Sequence, residues 1–178
     1  MSATAIELKV DRVPGFYQSL IGRKAVVAVT GAILFAYLVA HLIGNLQIFL
    51  GPARIDAYAH LLHASPPFLW TARIVLLAVV LVHAVATVQL WWFNRTSRPV
   101  RYQKTGVLQA TWASRTMIWT GPLIAVFVVY HVLHFTTGSV HPDFQELKVY
   151  HNLTTGFKDP AVSGFYILIM ALIGLHLY

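Results

Sequence analysis

Residues 24–50, KAVVAVTGAILFAYLVAHLIGNLQIFL, carry a single charge, the lysine at their head, over 27 positions. In a helix rising about 1.5 Å per residue, roughly 20 residues cross a hydrocarbon core about 30 Å thick, so this stretch reads as a membrane span. Three further stretches, 67–93, 116–137 and 161–178, have the same character. Between them lie turn signals: Gly51-Pro52, Ser65-Pro66-Pro67, residues 94–98 followed by Pro99, and 138–160. These connections read as loops too short for a soluble domain. The expected fold is all-α, a polytopic bundle of transmembrane helices forming one domain over 1–178. The apolar pattern is still running at Tyr178, so the sequence reads as incomplete at its C-terminus.

Composition supports a lipid environment. The chain of 178 residues is 57% hydrophobic and 11% charged, against roughly 25% charged residues in ordinary soluble domains. Its net charge of +7 does not point to nucleic acid, because that reading needs basic residues clustered on one soluble face, and here they sit at the ends of apolar runs. The absence of cysteine excludes disulfides, cysteine-ligated clusters within this chain and thiol nucleophiles. Residues 1–22 lack the apolar stretch and small-residue cleavage site of a signal peptide, so the first apolar segment is expected to be retained.

Orientation follows from the basic residues. Lys9, Arg12, Arg23 and Lys24 precede the first span, and Arg95, Arg98, Arg101, Lys104 and Arg115 lie between the second and third; the other side has Arg54, Lys148 and Lys158. Nine against three places the N-terminus in the cytoplasm. Trp70, Trp91, Trp92, Trp112 and Trp119 fall near the expected span ends, where amphipathic rings favour the interface.

Each span carries one histidine at a matched position. His41, His83, His131 and His176 lie 17, 16, 16 and 16 residues after Lys24, Pro67, Arg115 and Pro160, about 24 Å along each helix. Alternating helix direction then groups His41 with His131 toward the outer face and His83 with His176 toward the cytoplasmic face. Two pairs at two depths suit two planar macrocycles held one above the other, with metals roughly 10–20 Å apart. Bis-histidine ligation closes both axial positions of a haem iron and leaves electron transfer as its chemistry, so two haem b groups are the expected cofactors. Interhelical hydrogen bonding is the competing explanation for any one such histidine; four in register on four spans favour ligation.

His134 shares a helix face with His131 and is the alternative ligand; matched depth favours His131. His60, His63, His141 and His151 fall in expected outer loops. Gly31 and Gly44 around His41, Ala84 and Ala86 after His83, Gly121 before His131 and Gly174 before His176 suit either close approach of a macrocycle or small-residue helix packing. Arg73 inside the second span needs an anionic partner or must snorkel; a propionate of the outer haem is the expected partner. All six acids, Glu7, Asp11, Asp56, Asp143, Glu146 and Asp159, lie outside the spans or at their edges, which counts against a proton pump or ion-coupled transporter.

Several ordered motifs carry a family likeness: Ser19-Leu20-Ile21-Gly22-Arg23-Lys24 leading to Val29-Thr30-Gly31, then His41-Leu42-Ile43-Gly44-Asn45-Leu46, Tyr58-Ala59-His60, His83-Ala84, Arg115 through Trp119-Thr120-Gly121 to His131, and Val149-Tyr150-His151-Asn152 to Gly174-Leu175-His176-Leu177-Tyr178. In order and spacing the chain resembles the single-subunit, diheme cytochrome b membrane anchor of succinate:quinone oxidoreductases (succinate dehydrogenase and fumarate reductase). The resemblance implies five helices with ligands on the first four. It pairs His41 with His131 at an outer haem and His83 with His176 at an inner one. It also implies a bacterial cytoplasmic membrane, a flavoprotein subunit and an iron–sulfur subunit docked on the cytoplasmic face, and a membrane quinone, menaquinone or ubiquinone, as electron acceptor. Succinate chemistry would belong to the partners. The chain departs from the family in having no acidic residue beside its fourth histidine, so compensating transmembrane proton transfer is not expected.

Two other readings stand beside this one. A different b-type cytochrome subunit of a quinone-linked dehydrogenase or hydrogenase would also use such histidines; types that place two ligands several turns apart on one helix are disfavoured, because no span has that spacing. A non-redox anchor or transporter would use them for substrate or helix contacts. Ser19, Arg23, Asp56, His60 and His151 are polar candidates for a quinone site, and spacing does not choose among them.

Overall fold

The computed structural model describes residues 15–97 and 111–178; Lys9, Arg12, Arg98, Arg101 and Lys104 of the orientation argument lie outside them. Among the described residues the secondary structure is helical throughout. After a single 3₁₀ turn, Phe16–Gln18, come α1 (Leu20–Asn45), a 3₁₀ extension (Leu46–Leu50), α2 (Pro52–His63), α3 (Pro66–Thr96), α4 (Trp112–Phe135), α5 (Val149–Gly156) and α6 (Pro160–Leu177). Four helical stretches of 31, 31, 24 and 18 residues, built on α1, α3, α4 and α6, are long and apolar enough to cross a membrane. The chain is a multi-pass membrane protein.

Local chemistry sets the helix ends. The Ser19 hydroxyl accepts from the Gly22 amide at 2.9 Å, the Thr111 hydroxyl from Ser114 at 3.1 Å, and the Asp159 carboxylate from Ala161 at 2.8 Å. Each satisfies an amide that has no partner inside its helix. Pro52, Pro66 and Pro160 occupy first-turn positions, where a missing N–H costs nothing. These caps start α1 and α4 four residues before the apolar runs that mark them, at Leu20 rather than 24 and at Trp112 rather than 116. Arg23 and Lys24 thus join the first helical turns. Gly51 at φ +90° provides the left-handed conformation that separates the α1 extension from α2.

The connections need correction: 51–65 is not a loop but mostly α2, and 138–160 contains α5. His60 and His63 therefore lie on α2 and His151 on α5, while His141 stays in a loop. α2 buries Ile55 and Ala59, one turn apart on a single face. α5 is too short to persist alone. Its Tyr150 amide donates to the Asp56 carboxylate of α2 at 3.0 Å, and an acceptor with negative charge at a helix N-terminus is favoured. Asn152 holds the preceding loop, accepting from the Gln145 amide at 2.9 Å and donating to the Gln145 carbonyl at 2.8 Å.

The closely packed pairs are α1 with α3, α4 with α6, and α2 with α5. The spans thus form two antiparallel hairpins joined at one end by the two short helices. Outward faces are apolar and bare at mid-span, as lipid requires: Val29 is 60% exposed, Leu77 61%, Val126 68% and Ile167 71%. The largest buried cluster, Phe127, Tyr166 and Ile169, lies within the α4–α6 hairpin.

Candidate functional site

The two hairpins repeat one design. In α1 a Thr30-Gly31 pair precedes His41 by eleven residues, and in α4 Thr120-Gly121 precedes His131 by the same interval. The antiparallel partner supplies a histidine opposite each threonine: His83 Nδ1 lies 3.0 Å from the Thr30 hydroxyl oxygen, and His176 Nδ1 lies 2.9 Å from that of Thr120. Gly31 gives its ring room, since a Cβ there would stand 3.3 Å from His83 Cε1, whereas a Cβ at Gly121 would make only ordinary contact with His176 Cε1 at 3.8 Å. Gly31 thus helps to seat a partner histidine. Gly44 does something else, because a Cβ there would meet the Tyr58 ring of α2 at 2.9 Å.

Between the hairpins the histidines fall at two levels, and at one of them two rings meet. His41 and His131 have ring centroids 5.8 Å apart with planes at 85°. His83 and His176 are close enough to interact electrostatically. The levels are separated by eleven residues of helix, about 16 Å. All four rings are half-buried. His83 also bonds the Val27 carbonyl of α1, the helix its Nδ1 edge faces, and among the described residues Nε2 of His176 has no hydrogen-bond partner.

His134 is placed differently. It is 1% exposed, packed in the α4–α6 hairpin against Phe135 (ring centroids 4.1 Å) and His141 (5.1 Å), with Nδ1 3.1 Å from the Tyr166 hydroxyl. His131, one turn earlier on α4, faces His41 and keeps only a 3.4 Å contact between Nδ1 and the same hydroxyl. Gly156 completes the His134 pocket: a Cβ there would stand 3.0 Å from Nε2 of both His134 and His141.

At the α2/α5 end, His141 Nε2 lies 2.8 Å from the Asn152 carbonyl, His151 Nε2 lies 2.8 Å from Asp143, and His63 Nδ1 lies 2.8 Å from the Ala59 carbonyl. Asp56 is engaged with α5. The Arg73 guanidinium sits 5.2 Å from the Trp70 ring centroid, a cation–π contact. By the register that sets Thr30 beside His83, Arg73 falls at the level of His41. At the other end, Ser19 is occupied in capping, and Arg23, with Nε donating to the Tyr17 carbonyl at 3.3 Å, lies over Phe93. Arg23 also lines a groove of about 420 Å³ with Tyr17, Gln89, Trp92, Phe93 and Thr96.

The donors suit haem iron better than a bare metal ion. Two imidazoles binding one iron from opposite sides, each about 2 Å away, have centroids about 6 Å apart, close to the spacing of His41 and His131. Among the described residues no group of three or more His, Asp or Glu side chains is arranged to hold a metal ion by itself. Thr30, Thr120 and Tyr166 were not singled out as partners of the histidines by sequence reasoning. The available signal was the Thr-Gly pair at an equal distance before two histidines. No protein-family model matches the chain, and no curated protein or solved structure matches it.

Proposed function

We propose that the chain is the diheme cytochrome b membrane anchor of a succinate dehydrogenase, the subunit that links an iron–sulfur partner to a quinone in the bilayer. The observation that carries this reading is the meeting of His41 and His131 across the space between two hairpins, 5.8 Å apart, with a second histidine pair at the other level. A helix-packing role would satisfy each histidine within its own hairpin, as Thr30 and Thr120 do for Nδ1 of His83 and His176; His41 and His131, from different hairpins, instead face one another.

His41 and His131 would hold one haem and His83 and His176 the other. When bound, such groups gain and lose one electron each at iron whose axial positions are closed. The chain's own contribution is to fix the rings. Thr30 and Thr120 engage Nδ1 of His83 and His176, and Gly31 lets the His83 ring lie against the neighbouring helix. The basic segments put the N-terminus in the cytoplasm, so the His83/His176 level faces the iron–sulfur and flavoprotein subunits and the α2/α5 lid faces outward in a bacterial cytoplasmic membrane. Arg73 at the His41 level is placed for an anionic propionate, since a cation at that depth favours a charge partner. Quinone, menaquinone or ubiquinone, would reach the protein from the lipid.

The test is a reduced-minus-oxidised visible spectrum with a pyridine haemochrome assay on the purified chain. About two b haems per chain with low-spin bands is the expected result; a colourless protein would return the histidines to a packing or transport role.

A further inference from the structure

We propose that Thr30 and Thr120 are matched positioning residues, which keep the proton of His83 and of His176 on Nδ1 and so leave Nε2 of both rings free to bind one iron. This rests on the diheme reading above. A hydroxyl has one proton to donate and two lone pairs to offer. The Thr30 oxygen lies 2.7 Å from the Val26 carbonyl and 3.2 Å from that of Val27, and a carbonyl can only accept, so the Thr30 proton is directed into the helix. What faces His83 at 3.0 Å is then a lone pair, and a hydrogen bond forms only when Nδ1 bears the ring proton.

Thr120 holds the equivalent place in the other hairpin with longer back-contacts, and its hydroxyl accepts from His176 when Nδ1 bears the ring proton. Its oxygen lies 3.3 Å from the Thr116 carbonyl and 3.4 Å from that of Met117, with His176 Nδ1 at 2.9 Å. A neutral imidazole carries one proton, so a proton on Nδ1 leaves the lone pair on Nε2, the form that binds a metal. Gly31, following its threonine, lets the Cε1 edge of His83 approach the helix at 3.3 Å from where a Cβ would stand, and the Cε1 edge of His176 faces Gly121 in the same way at 3.8 Å. Both rings are therefore held along the edge from Nδ1 to Cε1. That two hairpins separated by some ninety residues reach one geometry with one residue pair argues for a shared task, since a single threonine–histidine bond would suffice for packing.

The arrangement has an electronic consequence. A hydrogen bond from the second ring nitrogen raises the basicity of the ligating one and so favours ferric over ferrous iron. The other level lacks it: His41 stacks on Tyr37 with centroids 5.6 Å apart, and His131 has only the long Tyr166 contact. Loss of a threonine hydroxyl should therefore act on one haem of the two.

The experiment is a redox titration of the visible α-band with electron paramagnetic resonance of the oxidised form, on the purified full chain with valine or serine at position 30 or 120. Thr30→Val and Thr120→Val should each move one of the two components to higher potential and alter its low-spin signal, or reduce haem content from two toward one, while the other component stays. Thr30→Ser and Thr120→Ser should restore the native values. Two unmoved components in both valine variants would overturn the positioning role and leave the diheme reading intact. Equal disturbance of both components that serine fails to rescue would also overturn it, as a purely structural effect. A wild-type chain without haem would overturn both.

Discussion

Replacing His134 and replacing His131 should have opposite signatures, although the two residues are one turn apart on α4. Removing the His134 ring takes away the 3.1 Å hydrogen bond to Tyr166 and leaves that buried hydroxyl only the 3.4 Å contact with His131. An abandoned buried polar group costs about 1–3 kcal/mol. With a non-isosteric leucine among Phe135, His141 and Tyr166, a loss of about 2 kcal/mol is a fair central value, roughly 30-fold in the ratio of folded to unfolded protein. His134→Leu should therefore lower the thermal midpoint in detergent while haem content remains at two per chain. His131→Leu removes a half-buried ring facing His41 and should reduce haem content to about one, with a smaller stability loss when measured on haem-free protein. Haem quantitation beside thermal unfolding reads both effects. A His134 variant with one haem, beside a His131 variant with two, would refute the assignment of roles.

Gly156→Ala should destabilise by about 1–3 kcal/mol, the usual range for overpacking, because the new methyl meets two histidine rings at 3.0 Å; denaturant midpoints check it. Asp56→Ala removes the acceptor of the Tyr150 amide and should cost about 1 kcal/mol, as for a lost helix cap, seen as faster hydrogen exchange confined to α5. Arg73→Gln should disturb only the haem at the His41 level, and an unchanged pair of redox components would remove Arg73 from that role. Orientation is accessible through a chain that has no cysteine of its own: with single substitutions, Arg54→Cys should react with an impermeant maleimide in intact cells and Ser97→Cys only after permeabilisation, and the reverse pattern would invert the topology.

The four spans were legible because their signal is additive along the chain: about twenty apolar residues in a row need no tertiary information. The two depths of histidine were legible for a related reason, since helix rise converts sequence position into height. α2 and α5 were not. Gly51-Pro52 serves equally as a turn and as a helix start with proline in the first turn, and α2 fully buries only Ile55 and Ala59. α5 depends on Asp56, 94 residues away in the sequence, and no local pattern carries that dependence. The same limit applied to Gly44, whose position beside His41 suited either a macrocycle or small-residue helix packing and whose actual neighbour is Tyr58 of α2, a helix contact.

Choosing between His131 and His134 required more than depth. Depth favoured His131 only slightly, because one turn of helix is about 5 Å, while rotation about the helix axis decides which ring leaves its own hairpin. That rotation follows from the α4–α6 packing: Phe127 and Tyr166 lie with ring centroids 5.0 Å apart, and Tyr166 draws His134 inward by a hydrogen bond. In the proposed diheme reading each hairpin consequently contributes half of each site, His41 and His83 from one, His131 and His176 from the other, and neither hairpin would close a ligand pair by itself. The α2–α5 contact that joins them is thus part of the site, even though it contributes no ligand.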